Sequence, residues 1–176
     1  MPSAEMKGLP TYRGFRVEFL AKYRRKCVPG ENGRPPANKG ELRQKLYAKN
    51  FEFAPGQLLK IKGVVEPEAK SFVFNIGRSD NEFSLHFNPR FDEHGDTNTI
   101  VCNSRVGGVW GEEQRDHAFP FKHGEDVKVF IYYKPDFFEV KVSDDFLVKF
   151  PNRCDDQKLA FLGVDGGFKV VSFKVQ

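Results

Sequence analysis

From Leu58 to Val175 the chain is cut into nine short apolar runs, almost all of them closed by turn residues. They are "LLKIKGVV" (58–65), "SFVFNIG" (71–77), "FSLHFNPRF" (83–91), "NTIVCNS" (98–104), "VKVFIYY" (127–133), "FFEVKV" (137–142), "DFLVKF" (145–150), "LAFLGV" (159–164) and "FKVVSFKV" (168–175). Runs this short, rich in Phe, Val and Ile, suit strands. Gly, Asn, Asp and Pro punctuate them in "RSDNE", "EHGD", "KPD" and "SDD", where the backbone must reverse. About ten or more antiparallel strands with no helical pattern predict an all-β domain built as a two-sheet sandwich. Two packed sheets leave outward faces, and one of these can carry a site.

Nineteen Phe residues, in a chain that is 39% hydrophobic, supply the core of one domain. The segment "VPGENGRPPANKG" (28–40) reads as a linker and marks the clearest boundary. Charge divides at nearly the same place. Residues 1–43 hold ten Lys/Arg against four Asp/Glu, a net +6, and residues 44–176 hold eighteen against twenty, a net −2. We therefore expect a basic, flexible extension over 1–43 and a folded domain over 44–176, with no nucleic-acid surface on the domain. Within the extension, "YRGFRVEFLAKYRRKC" (12–27) spaces Tyr12, Phe15, Phe19, Leu20 and Tyr23 as on a helix. A basic helix for a membrane surface or an acidic partner is one reading, and a disordered tail is the favoured one, since Gly14 and the short pattern oppose a helix. No run approaches a membrane span, and charges at Arg13, Arg16 and Glu18 break any signal-peptide core. Cys27, Cys102 and Cys154 have no metal-ligand spacing and read as free thiols of a reducing compartment.

If "HFNPRF" (86–91) is extended, His86, Asn88 and Arg90 share one face while Phe87 and Phe91 take the other. An imidazole, an amide and a guanidinium together ask for a ligand. Three further stretches belong with them. In "NTIVCN", Val101 and Asn103 share a face and Ile100 with Cys102 points inward; "GGVWG" frames Trp110, the only tryptophan; in "EEQR", Glu113 and Arg115 share a face. Donors and acceptors beside an indole suit a hexose, whose hydroxyls are each both donor and acceptor. A galactoside adds an apolar C–H patch that a Trp can cover. His86 and Arg90, reaching for an axial hydroxyl, would reject glucosides by leaving their own polar groups unpaired.

"HFNPRF", "NTIVCNS", "GGVWGEEQR" and the following "FPF" resemble, in order and spacing, the carbohydrate-recognition signature of the galectins. The resemblance runs from about Leu46 to Gln176, with "FAPGQLLKIKG" and "AKSFVFNIG" similar to that family's opening strands. It implies a jelly-roll sandwich of the galectin and concanavalin type, with the sugar on the concave face of one sheet. His86, Asn88 and Arg90 would then hold a galactose 4-hydroxyl, Asn103 and Glu113 the 6-hydroxyl, and Trp110 would stack under the ring. Arg90 and Glu113 would also reach the 3-hydroxyl of a following N-acetylglucosamine, with Arg115 near its acetamide. Val101 would line the floor, and His94 and Asp96 would border the second sugar, Asp96 supporting Arg90. The implied function is a metal-independent lectin for lactose- or N-acetyllactosamine-type glycans and glycoproteins, without cofactor, cytoplasmic and extracellular, leaving the cell without a signal peptide. Family members pair through edge strands near their termini. We expect the run near Leu46 and the C-terminal run to be edges, and a weak homodimer tightened by salt or by removing residues 1–43.

Two other classes compete with a lectin. A glycoside hydrolase needs two carboxyls facing each other across the bond, about 5–10 Å apart. Glu113 is the only motif carboxylate aimed at the sugar, and Arg90 and Arg115 beside it would favour its ionised form, the wrong state for an acid. No enzyme is expected. No metal is expected either, since "DEHGDTNT" lacks the sixth-position glycine and the later glutamate of a calcium loop. An adaptor acting through the basic extension is the remaining alternative, with membrane contact otherwise indirect, through glycans.

Overall fold

A computed structural model of the chain describes the backbone of residues 16–24 and 41–176 and the side chains of residues 45–176. The strands are β1 (Arg16–Arg24), β2 (Glu41–Phe53), β3 (Leu58–Val65), β4 (Phe72–Ser79), β5 (Glu82–Glu93), β6 (Asp96–Val106) and β7 (Val109–Trp110). They continue with β8 (Gln114–Asp116), β9 (Asp126–Tyr133), β10 (Phe137–Ser143), β11 (Phe146–Pro151), β12 (Leu159–Gly166) and β13 (Phe168–Val175). Among the described residues there is no helix. One sheet runs β1-β2-β12-β4-β5-β6-β7, with β8 also on β6; the other runs β11-β10-β9-β3-β13. All pairings are antiparallel. The expected two-sheet antiparallel sandwich is the architecture found.

The core lies between the sheets because strand alternation sends Leu59, Ile61 and Val65 of β3, Val129 and Ile131 of β9, and Phe72, Phe74 and Ile76 of β4 to the same side. Phe72 is central. Its ring lies 5.0 Å from both Phe121 and Phe168 and 5.6 Å from Phe74, centroid to centroid. Ile100 and Cys102 join this core, as their alternation with Val101 and Asn103 required.

Two features of the larger sheet set up the site. The β5–β6 hairpin turns through His94 and Gly95, both at positive φ (55° and 81°), a pair suited to a tight two-residue reversal. Earlier on β5, the register with β6 shifts between Phe83 and His86. The extra residue lets Phe83 and His86, three apart, face the same side, outside the core. Gly77 sits opposite Phe83 and is obligatory there, since a Cβ would lie 1.8 Å from the Glu82 carbonyl oxygen.

The N-terminal segment departs from both readings of the sequence. Residues 16–24 are neither helix nor tail but pair with β2 from Arg16↔Lys49 to Arg24↔Glu41. The remainder of 12–27, with Cys27, lies outside the described residues. β2 itself begins at Glu41, three residues before position 44. The run around Leu46 is therefore not the outermost strand, whereas β13 is an edge as expected. Propensity could not settle the segment because an apolar pattern this short fits either period; a long free edge beside it decides for the strand.

Candidate functional site

His86, Asn88 and Arg90 project from β5 on the face of the larger sheet turned away from the core. β6 runs alongside, with His86 opposite Asn103, Asn88 opposite Val101 and Arg90 opposite Thr99. β7 returns Trp110 against Arg105, and β8 sets Arg115 against Val101. The result is an open cleft of about 470 Å³ lined by His86, Arg90, Asn103, Trp110, Gly111 and Glu113.

A continuous polar chain supports these groups. Asn88, buried, donates Nδ2–H to the Phe72 carbonyl at 2.8 Å and accepts from Arg90 Nε at 2.8 Å. Arg90 Nη1 donates to Asp96 Oδ2 at 2.6 Å. The other oxygen of Asp96 accepts from Arg115 Nη1 at 2.5 Å, and Arg115 Nη2 donates to Glu113 Oε2 at 2.7 Å. The chain Asn88–Arg90–Asp96–Arg115–Glu113 thus fixes a guanidinium and a carboxylate among the groups that line the cleft. The Arg90 hydrogen bond, helped by Arg115, lowers the Asp96 carboxyl below its ordinary range, so Asp96 stays charged at neutral pH. Hydrogen bonds from Arg115 to Glu113 and Asp96 strengthen its own hold on its proton. Among the described residues Arg90 Nη2 takes no protein partner, which leaves its hydrogens for a ligand.

His86 is tuned differently. Burial, then the nearby Arg90 charge, lowers its pKa from 6.5 to about 4, so the ring is neutral near pH 7. Nδ1 lies 2.6 Å from Asn75 Oδ1, which can only accept; Nδ1 therefore carries the hydrogen and Nε2 keeps a lone pair. One ring thereby offers an acceptor beside the Arg90 donors. The same shift predicts a pH dependence. An unfolded chain protonates His86 through about pH 6.5 and the native protein only near 4, so stability from this group is complete above 6.5. It is lost as pH falls through that window, up to about 3 kcal/mol. Thermal unfolding from pH 7.5 to 4 should therefore be less pH-sensitive in His86→Gln than in the wild type; equal slopes would assign the loss elsewhere.

Trp110 is 47% exposed, unusual for the only indole of a sandwich. It meets the His86 ring edge-on at 4.8 Å and Phe83 at 6.0 Å, with the Arg105 guanidinium over it at 5.5 Å. Asn103 donates Nδ2–H to the Gly111 carbonyl at 3.0 Å. The remaining sequence candidates are placed less directly. Val101 is buried, paired in the sheet between Asn88 and Arg115, and Val101, Asp96 and Arg115 are not among the lining residues. His94 is exposed at the hairpin turn, outside the lining residues.

Four contributors escaped the sequence reading. Asn75 fixes the His86 tautomer from the neighbouring β4, and Phe83 reaches the Trp110 side only through the bulge. Arg105 caps the indole. Arg153, far along the chain, donates to the Glu112 carbonyl at 2.8 Å and approaches Asn103 Oδ1 at 3.5 Å. Only the Arg105 contact, five residues from Trp110 across a Gly-Gly turn, had a local signal.

The sequence model of the family described as galactoside-binding lectin matches residues 45–175. Galectin-1 of Sus scrofa is 50% identical over 125 residues, 71% of this chain and 93% of that protein. Among solved structures, a homodimeric agglutinin from chicken liver superposes with a TM-score of 0.73 at 42% identity, over 76% of this chain and all of the other. A toad ovary galectin in complex with thio-digalactose gives 0.72 at 37% identity, over 75% and 98% of the two chains.

Proposed function

Because the chain belongs to the galactoside-binding lectins, the galectins, we propose that it binds β-galactosides of the lactose and N-acetyllactosamine type without metal, through the cleft over β5–β8. One observation carries the assignment to this cleft: a neutral His86 acceptor, the Arg90 donors and a half-exposed Trp110 converge on one opening. A hydroxyl beside β5 would donate to His86 Nε2 and accept from Arg90. Asn103 and Glu113 would take a second hydroxyl, with Arg115 beside the following sugar. The ring's apolar side would lie on Trp110.

The protein is a lectin and not an enzyme. Glu113 is the sole carboxylate among the lining residues, and hydrolysis of a glycosidic bond needs two across the sugar. Cys102 and Cys154 are free thiols, and burial pushes Cys102 up to about 12. These unpaired thiols support a cytoplasmic pool, with glycan partners met outside the cell, as part of the same proposal.

Affinity for a disaccharide is expected between about 10 µM and 1 mM, about −4 to −7 kcal/mol. The test is retention on immobilised lactose in the presence of EDTA and release by free lactose. Flow-through, or retention that needs calcium, would remove the proposal.

A further inference from the structure

Setting β1 aside, the two sheets end in edges of unequal quality. β7 and β8 are two and three residues long. β11 has six residues and ends in Pro151. β13 is interrupted by a bulge between Val170 and Ser172. Short strands, proline and bulges are the usual protections of a sheet edge. β2 has none of them over the nine positions that β1 covers, Glu41 to Lys49; its own bulge, at Asn50, lies beyond them. It spans thirteen residues, and its pairing to β1 runs through nine consecutive positions without a register shift. Bare, it would be a long template of backbone N–H and C=O groups for another chain.

β1 lies outside the family-matched residues 45–175, and the homodimeric chicken agglutinin is matched over its whole length by 76% of this chain. The family-matched residues 45–175 therefore do not include β1, which is an addition to them. We propose that β1 is an internal edge strand that competes with a second copy of this chain for β2, so that self-association stays weak in the intact protein and tightens when β1 is lost. Sixteen residues join β1 to β2 in the sequence, and a tether of that length supplies a local concentration on the order of millimolar. At micromolar protein a second copy meets that competitor at roughly a thousandfold disadvantage. The cleft over β5–β8 lies towards the opposite end of the sheet order, so the device would set valency while leaving each site intact.

The dimer dissociation constant, measured by sedimentation equilibrium, would be compared in three proteins: the intact chain, residues 41–176, and the intact chain carrying Phe19→Pro with Leu20→Pro. Of two successive strand residues one directs its N–H into the ladder, so the prolines break the β1–β2 pairing while keeping every charge. Both variants should dimerise at least tenfold more tightly than the intact chain, and the gap should persist in about 0.5 M salt, where charge repulsion is screened beyond a few ångströms. Equal constants, tighter pairing of the intact chain, a proline variant that behaves like it, or a gap closed by salt would each overturn the proposal. Lactose titration of all three reports separately on the sugar reading. Loss of binding in the intact chain removes that reading, while the sedimentation result still decides the edge strand.

Discussion

Replacing Arg90 by alanine is expected to lower lactose affinity at least a hundredfold, about 3 kcal/mol or more. The side chain sits at the centre of the polar chain, bonded to Asn88 through Nε and to Asp96 through Nη1, with Nη2 left for a ligand. Truncation removes the donors to the sugar. It also strands the Asn88 side-chain carbonyl in a buried site and leaves Asp96, among the described residues, with Arg115 as its remaining partner. Unpaired buried acceptors cost more than the lost bonds were worth, so the loss should exceed that of one neutral hydrogen bond. Arg90→Lys keeps the charge but not the planar fork that reaches two partners and a ligand at once, and should recover only a minor part of the affinity. Isothermal titration with lactose on folded variants measures both. Near-native binding by Arg90→Ala would take this residue out of the site.

The alternation in "HFNPRF" and "NTIVCN" was enough to put His86, Asn88 and Arg90 on one face and Ile100 with Cys102 on the other, because a strand with one buried face has its register set by its own apolar residues. Nine strand runs were visible for the same reason; "LLKIKGVV" and "FKVVSFKV" coincide with β3 and β13, and the others differ by a residue or two at their ends. β7 and β8, at two and three residues, were too short to leave a pattern. Asn75 and Arg153 were invisible for a different reason. Asn75 reaches His86 through the β4–β5 register and Arg153 reaches Asn103 from far along the chain, neither of which the local sequence encodes. Phe83 was misleading, since strict alternation would put it with Leu85 in the core, and only the bulge turns it to the Trp110 side. β1 was the largest omission. A nine-residue segment of mixed pattern takes its conformation from the edge beside it, and nothing local announces that edge.

Trp110→Ala should weaken lactose binding by roughly 1–3 kcal/mol, about fivefold to 150-fold, while scarcely changing the unfolding temperature. The two halves of the prediction come from the same geometry. An indole that buries its ring against a sugar loses that contact on truncation, and a half-exposed residue on a two-residue strand contributes little to the core. A tryptophan held for packing alone would show the reverse: lower stability with sugar binding intact. The contacts to His86 and Phe83 complicate the test, because removing the indole also frees the His86 ring edge. Trp110→Phe resolves this by keeping an aromatic plate of smaller area, so its affinity should fall between those of wild type and alanine, with the His86 environment preserved. Titration calorimetry with lactose and a thermal melt on each variant give both readouts. An alanine variant that binds as the wild type does would leave the polar chain alone to hold the sugar, and the apolar half of the recognition scheme would be wrong.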